Sequence, residues 1–252
     1  MFDSATAAKY HLDEGRVALL IHTGSRGLGH QVCTDYVSQL DEAMRRYDIH
    51  LPDRQLACAP IRSPEGQRYL QAMAAAANFA WTNRQCIAHA ARGAFKRIFG
   101  DSVRMPLIYD VAHNIAKQET HIVDGKQRRV LVHRKGATRS FPGQPVFIPG
   151  SMGTASYFLL GQQGALNETF GSACHGAGRV LSRSAAKKGV TAKEIQKELE
   201  SRGIIVESLT REGLTEEMPE AYKDIESVVD VVHGAGLATR VARLKPIGVI
   251  KG

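Results

Sequence analysis

Short apolar runs that end at small or polar residues dominate the hydrophobic pattern of this chain. Three of them are long enough for buried strands and lie at 17–21, 107–111 and 146–148. The first two lead directly into His22 and into the segment before His113, and the third leads into the loop that carries Ser151. Because a rigid scaffold positions the loops at strand ends, these three ends are candidates for one common pocket.

Helical patterns occupy four other segments. Ser63 followed by Pro64 predicts the start of a long, alanine-rich helix that runs to Phe99. Thr191 and Glu194 have the spacing of a capping box, which predicts a helix that ends near Gly203. The remaining helices are expected over 31–40 and from Pro219 to about 232. Further strands or extended segments are expected over 129–133, 204–206 and 244–252. Strands and helices mix without regular alternation, so we expect an α+β fold with central sheets flanked by helices.

Composition narrows the class of protein. A hydrophobic content of 43% and a charged content of 23% exclude a disordered or fibrous chain. No apolar stretch approaches the length of a membrane span and the first residues do not resemble a signal peptide, so we expect a cytoplasmic protein without a membrane partner. The net charge of +8 favours an anionic partner. The four cysteines form no C-x-x-C pair, which predicts free, buried thiols rather than a disulfide or zinc framework.

His22 and His113 are the first candidates for chemistry. Each follows an apolar run, and imidazole is a suitable ligand for zinc, manganese or iron. The stretch from His113 to Glu119 is not H-E-x-x-H, which excludes that metalloprotease motif. From spacing alone, the alternative that each is a hydrogen-bonded structural histidine stays open and is favoured, since metal binding is only one of the roles of histidine.

Two glycine-rich loops are candidates for phosphate binding. The segment from Gly24 to Gly29 reads G-x-x-G-x-G, so it lacks the dinucleotide-binding fingerprint. The segment from Pro149 to Thr154 either cradles phosphate with successive N–H groups, assisted by Ser151 and Ser156, or forms a tight turn.

The letters H-G-A-G occur twice, at His175 and at His233. A histidine nitrogen can act as a nucleophile toward phosphorus. Arg179 and Arg183 follow His175, whereas His233 ends an apolar helical pattern. The chain alone does not decide between the two copies. Basic residues also cluster near these glycine-rich segments: Arg26, Arg134, Lys135, Arg139, Arg179 and Arg183.

Taken together, seven segments resemble the RtcB family of RNA-splicing ligases. They occur in the family's order and span nearly the whole chain: HTGSRGLGH from His22, NFAWTNRQ from Asn78, YDVAHNIA from Tyr109, HRKGATR from His133, PGSMGTAS from Pro149, HGAGR from His175 and PIGVIKG from Pro246. The resemblance implies an RtcB-like fold and an enzyme that joins a 3′-phosphate or 2′,3′-cyclic phosphate to a 5′-hydroxyl, as in tRNA splicing and RNA repair. It implies GTP and Mn²⁺ as cofactors and a histidine–GMP intermediate.

The resemblance also assigns residues. The nucleophile is His175, the manganese ligands are His22 and His113, and the RNA phosphate contacts are Arg26 and Arg183. The guanylate pocket comprises His113, Asn114, Pro149, Gly150, Ser151, Met152, Ser156, His175, Gly176, Ala177, Gly178, Tyr222 and Lys251.

One departure limits the resemblance. Family members have a longer N-terminal part that carries an Asp and a Cys ligand and an N-H-x-x-x-E segment, and nothing before His22 matches it. We therefore interpret residues 1–252 as the C-terminal catalytic portion, without an internal boundary. We expect it to need an N-terminal half from another chain, and an archease is a candidate activator. The alternatives are a non-catalytic RNA-binding remnant and a metal-dependent phosphoesterase that opens cyclic phosphates without GTP.

Overall fold

A computed structural model describes residues 1–53, 56–182, 191–210, 214–215 and 217–251. The chain forms two compact units. The helical unit comprises Leu19–Ile115, and the sheet unit comprises Met1–Ala18 together with Ala116–Gly252. The architecture mixes helices and sheets, which confirms the α+β class. Whether the chain acts as one catalytic portion stays a prediction.

Two long helices form the helical unit, α2 (Arg26–Arg46) and α3 (Pro64–Phe99), both of which the sequence predicts. The Ser63 side chain accepts from the Gly66 backbone N–H, and Gly100 ends α3 with a φ of 85°. Such caps satisfy backbone groups that the helix ends leave without partners. The buried residues of this pair are mostly small, so much of its apolar surface stays exposed.

In the described part of the sheet unit, the chain forms short sheets and four helices. The strands are β1 (Asn114–Val123), β2 (Lys126–Lys135), β3 (Ala137–Arg139), β4 (Pro145–Ile148), β5 (Ser156–Gly161), β6 (Ser172–Cys174), β7 (Ile205–Ser208), β8 (Ala238–Leu244) and β9 (Gly248–Lys251). The helices are α1 (Ser4–Lys9), α4 (Gln163–Thr169), α5 (Ala192–Ser201) and α6 (Ile225–Gly234). A 3₁₀ turn spans Pro219–Ala221.

Strand pairing sets the topology. β5 lies between β4 and β8 in an antiparallel sheet, while β1 pairs with β2, β3 with β6, and β7 with β9 in parallel. The central sheet and α6 enclose one core cluster, and α5 with β7 and Met152 encloses a second. Tyr222 packs against both clusters. Residues of the glycine-rich loops therefore sit at the edges of rigid cores.

Two predicted strands are wrong. Residues 17–21 and 107–111 form no strand, and Val17 and Leu107 are 63% and 62% exposed. Apolar runs report side-chain preference only, whereas a strand also needs a neighbour for its backbone groups. Among the described residues, the assigned sheets contain no strand from either run.

The bounds of two other elements differ from those expected from the sequence, for reasons that lie in the local structure. The strand expected over 129–133 is the longer β2, because Asp124 and Gly125, both at positive φ, form a tight turn that pairs it with β1. The helix expected from Pro219 is only one 3₁₀ turn, and α6 begins at Ile225 because the Asp224 carboxylate caps it. The thiols are free as predicted, but Cys33 and Cys86 are exposed rather than buried. No helix within the described ranges has the length and apolarity to cross a membrane.

Candidate active site

His22 and His113 meet in the helical unit. Their Nε2 atoms lie 2.9 Å apart, and their rings are nearly perpendicular with centroids 5.1 Å apart. The two residues are 91 positions apart in the chain, so only the tertiary fold brings them together. From the sequence we expect three ends in one pocket, and the structure brings two of these residues, His22 and His113, together. Ser151, the third end, lies in the sheet unit.

Helix α3 holds the segments that carry the two histidines. The Asn83 amide donates to the Gly24 carbonyl at 2.9 Å, and Arg84 Nη1 donates to the Thr23 carbonyl at 3.1 Å. Arg84 Nε also pairs with the Asp110 carboxylate at 2.7 Å. Arg84 thus ties the residue after His22 to the segment that precedes His113.

This pair of imidazoles offers part of a metal site. A separation of 2.9 Å is that of a hydrogen bond between the two rings, and Nε2 atoms that converge in this way are also suited to bind one ion. In the described part of the chain, however, no group of three or more His, Cys, Asp or Glu side chains is placed to hold a metal. The described residues therefore supply two nitrogen donors but not a full coordination shell.

His175 lies at the end of β6 in the sheet unit. Its Nδ1 is 2.7 Å from the Gly136 carbonyl oxygen, and its backbone N–H donates to the same oxygen at 3.4 Å. A carbonyl only accepts, so a neutral imidazole must carry its proton on Nδ1. The lone pair then resides on Nε2, which is the atom available for attack on an electrophile.

Gly136 is shaped for this contact. Its φ of 68° lies in the left-handed region, and a Cβ there would come within 3.4 Å of His175 Cε1. Only glycine adopts this conformation without strain while leaving room for the ring. Sequence reasoning did not single out Gly136, although it lies in the basic segment from His133 that matches the family.

The loop from Pro149 to Ser156 is a turn braced by hydroxyl groups. The Gly150 N–H donates to Ser156 Oγ at 3.2 Å, and the Ser151 N–H donates to Thr154 Oγ1 at 2.8 Å. These bonds describe a tight turn, and phosphate binding by this loop stays a prediction. A Cβ on Gly176 would meet the Pro149 carbonyl at 3.6 Å, so this loop lies next to the segment that follows His175.

Tyr222 sits in a polar cluster beside the same segment. Its hydroxyl donates to the Glu217 carboxylate and accepts from Arg179 Nη1 at 2.9 Å. The Arg179 guanidinium lies over the Tyr222 ring, 4.8 Å from the centroid. Burial and the hydrogen bond to Glu217 raise the pKa of Tyr222 to about 12, so the phenol is neutral at physiological pH. Sequence reasoning missed Glu217, which no motif marks.

The basic residues near the glycine-rich segments separate into different environments. Arg134 is buried and paired with Glu119, which contradicts a solvent-facing role for it. Arg26 and Lys135 are exposed, and Arg139 stacks on Phe141. Arg183 lies outside the described residues. Burial, and then the charge of Arg139, lower the pKa of Lys117.

The remaining predicted site residues have defined places. Lys251 belongs to β9 and pairs with Ser208 of β7, so the tail is ordered and extended as expected. Met152 is buried in the second core cluster and Ala177 in the first. Asn114 is the first residue of β1, and Gly178 has a φ of 74°. His233 lies in the last turn of α6, as its sequence context indicates.

Comparison with known proteins identifies the family. A family model described as tRNA-splicing ligase RtcB matches residues 1–252. The chain is 55% identical to a tRNA-splicing ligase RtcB of Archaeoglobus fulgidus, over 100% of this chain and 56% of that protein. It is 52% identical to the protein of that name from Methanocaldococcus jannaschii, and 53% identical to an RNA-splicing ligase RtcB of Mycobacterium bovis.

These alignments cover this chain completely but the relatives only in part. The chain spans 28% of the Methanocaldococcus protein and 60% of the Mycobacterium protein. The ordered motifs, the family model and these identities agree, and the chain belongs to the RtcB family of tRNA-splicing ligases.

Proposed function

We propose that this chain is the catalytic portion of a GTP-dependent RNA ligase in which His175 is the nucleophile. The observation that carries the proposal is the hydrogen bond from His175 Nδ1 to the Gly136 carbonyl. This bond directs the lone pair of Nε2 away from the backbone. A neutral, oriented imidazole is the form that can attack phosphorus without first losing a proton.

In the proposed reaction, Nε2 of His175 attacks the α-phosphorus of GTP. A P–N bond forms, the bond from the α-phosphorus to the bridging oxygen breaks, and pyrophosphate leaves. An oxygen of the RNA 3′-phosphate then attacks the same phosphorus, which breaks the P–N bond and returns the electron pair to the imidazole. Finally, the 5′-hydroxyl of the second RNA end attacks the activated 3′-phosphate and displaces GMP.

The glycine-rich segments next to His175 suit the guanylate. Phosphoryl-type transfer depends mainly on positioning and charge stabilisation. We assign the loop from Pro149 to Met152, with Ser156 and the segment from Gly176 to Gly178, to this pocket, and the proximity of Gly176 to Pro149 supports this part of the assignment. Tyr222, which packs against both cores, belongs to the same pocket in this proposal. For His113, Asn114 and Lys251 the assignment rests on the family resemblance alone.

His22 and His113 would hold Mn²⁺, and their converging Nε2 atoms support this assignment. When bound, the ion would neutralise charge on the triphosphate and orient the pyrophosphate leaving group. A hard cation prefers more oxygen ligands than two imidazoles provide. We therefore propose that the part of the family protein that this chain does not span contributes the remaining ligands.

The same reasoning extends to partners. We propose that RNA ends, such as tRNA halves or broken RNA, are the substrates, with Arg26 and Arg183 contacting RNA phosphates. A polypeptide that supplies the rest of the family protein is the required partner. An archease is a candidate activator, and the cytoplasm is the proposed compartment.

Mass spectrometry of a guanylylated chain tests the proposal. The chain is incubated with GTP and Mn²⁺ in the presence of the part of the Archaeoglobus fulgidus relative that it does not span. We expect one acid-labile guanylyl group per chain. His175→Ala should lose it, whereas the matched variant His233→Ala, which changes the other H-G-A-G copy, should retain it.

Two results would contradict the proposal: no adduct on the unmodified chain, or an adduct that persists in His175→Ala. The small number of metal donors favours one alternative, a non-catalytic RNA-binding role. In that case RNA affinity would fall with salt, with a slope of about −0.7 per phosphate contact for single strands, and His175→Ala would bind RNA unchanged.

A further inference from the structure

A buried ion-pair network contacts the segment that leads to the candidate nucleophile, His175. The side chains of Arg134 and Glu119 are only 2% and 7% exposed, and Arg134 Nη1 and Nη2 donate to the two Glu119 oxygens at 2.7 and 2.8 Å. His121 Nε2 lies 3.0 Å from one of these oxygens, and its ring meets Phe141 and Phe170 edge-on. Burial opposes ionisation of Glu119, but its bonds to Arg134 and His121 outweigh burial and lower its pKa.

The other bonds of Arg134 reach the segment that leads to His175. Nε donates to Ser172 Oγ at 3.0 Å, and Nη2 donates to the carbonyls of Phe170 and Gly171 at 3.0 and 3.3 Å. Phe170 and Gly171 both have positive φ. A non-glycine residue in this conformation is strained, so a buried donor on its carbonyl holds the turn that starts β6.

The same arginine is also close in the chain to the acceptor of the His175 bond. Gly136 comes two residues after Arg134, and His175 comes three residues after Ser172. Strands β3 and β6 pair with Ala137 opposite Cys174. Ala137 is the neighbour of Gly136 in the chain, and Cys174 is the neighbour of His175. One guanidinium therefore fixes both segments whose relative position decides the distance from Nδ1 to the Gly136 carbonyl.

We propose that Arg134, held in place by Glu119, is a positioning residue that keeps His175 in the tautomer with its proton on Nδ1 and its lone pair on Nε2. This role of Arg134 rests on the proposed function, in which His175 is the nucleophile. Arg134 itself is buried and is assigned no contact with substrate. Its five hydrogen bonds require a planar fork with several donors, and a lysine ammonium, which donates from a single point, cannot reproduce them.

The test measures the imidazole directly in the full 252-residue chain. Long-range ¹H–¹⁵N spectra of histidine-labelled protein report which ring nitrogen carries the proton, and His175→Ala assigns the signal. We expect the unmodified chain to show His175 protonated on Nδ1. Arg134→Lys keeps the charge but should shift His175 toward a mixture of tautomers. Arg240→Lys, which alters a surface pair with Asp230, is the matched control and should change nothing at His175.

A milder variant covers the case in which Arg134→Lys does not fold. Ser172→Ala removes one acceptor of the network and should produce a smaller change in the same direction. If His175 keeps its wild-type tautomer in whichever of these two variants folds, the proposal is overturned.

A second readout connects the network to catalysis. With the complementary part of the Archaeoglobus relative supplied, we expect Arg134→Lys to slow guanylylation by at least about tenfold at saturating GTP, because misplaced reacting groups lose rate rather than binding. An unchanged rate would refute positioning. If the unmodified chain forms no adduct, the proposed function fails, while the tautomer result still decides whether Arg134 orients the ring.

Discussion

At the scale of single residues, a single hydrogen-bond partner determines the protonation or orientation of a side chain in the candidate site. His175 is the clearest case, because an acceptor-only carbonyl determines which nitrogen is protonated. Sequence motifs identified His175 through family resemblance, but they did not indicate Gly136, which lies 39 positions earlier. The same holds for Glu217 and its bond to Tyr222.

Gly136→Ala tests this residue-scale interpretation. A left-handed φ costs a non-glycine residue about 1–2 kcal/mol, and the new Cβ would also press on the His175 ring. We expect urea unfolding to show this loss of stability and the guanylyl adduct to form more slowly. Gly143→Ala is the control, since Gly143 has a φ of 73° with nothing within 4 Å of its Cβ position. Equal adduct rates in the two variants would show that the contact with the ring is unimportant.

At the scale of elements, local sequence signals performed well where they act over a few residues. Helix α5 begins at the capping box that the sequence shows, because the Thr191 hydroxyl and the Glu194 carboxylate satisfy each other's backbone N–H groups. Strands were less predictable. β5 lies at the centre of its sheet with Tyr157, Phe158 and Leu159 all buried, so it lacks the alternation that marks a half-exposed strand.

Thr191→Ala tests the contribution of the cap. Loss of an N-cap side chain costs about 1 kcal/mol, so we expect a lower midpoint of chemical denaturation. Bonds from Thr191 lower the pKa of Glu194, so this part of the stability is present above the ordinary pKa of the carboxyl and is lost as the pH falls. Lys193→Ala, in the same exposed first turn, leaves the cap intact and should keep the midpoint. A similar loss in both variants would argue against a specific cap.

At the scale of the whole molecule, apolar surface in the helical unit exceeds what the described residues cover. Ile98 and Phe99 are 73% and 64% exposed, and Phe79 is 47% exposed on the same helix. Apolar patches of this kind mark interaction sites. The chain spans 56% of the Archaeoglobus relative, and we expect the part of the family protein that it does not span to cover this surface.

This leads to a prediction for the isolated chain. We expect it to bind a hydrophobic dye, to bind GTP and Mn²⁺ weakly and to join no RNA ends. Adding the complementary part of the Archaeoglobus relative should reduce dye fluorescence and restore ligation of a 2′,3′-cyclic phosphate end to a 5′-hydroxyl end. Ligation by the purified chain alone would contradict this expectation. Preparations of His175→Ala serve as the control for contaminating ligase.

The sequence by itself determined the family and the starts of α3 and α5, because motifs and helix caps depend on residues close together in the chain. The nucleophile is a prediction from the resemblance. Only the tertiary structure brought His22 to His113, which are 91 positions apart in the chain. It also placed the Gly136 carbonyl within hydrogen-bond distance of His175 and buried Arg134 against Glu119. These arrangements depend on which backbone segments become neighbours. The sequence alone does not show whether a charged residue such as Arg134 lies on the surface or in the core. That depends on its partner, which here is 15 positions away in the chain.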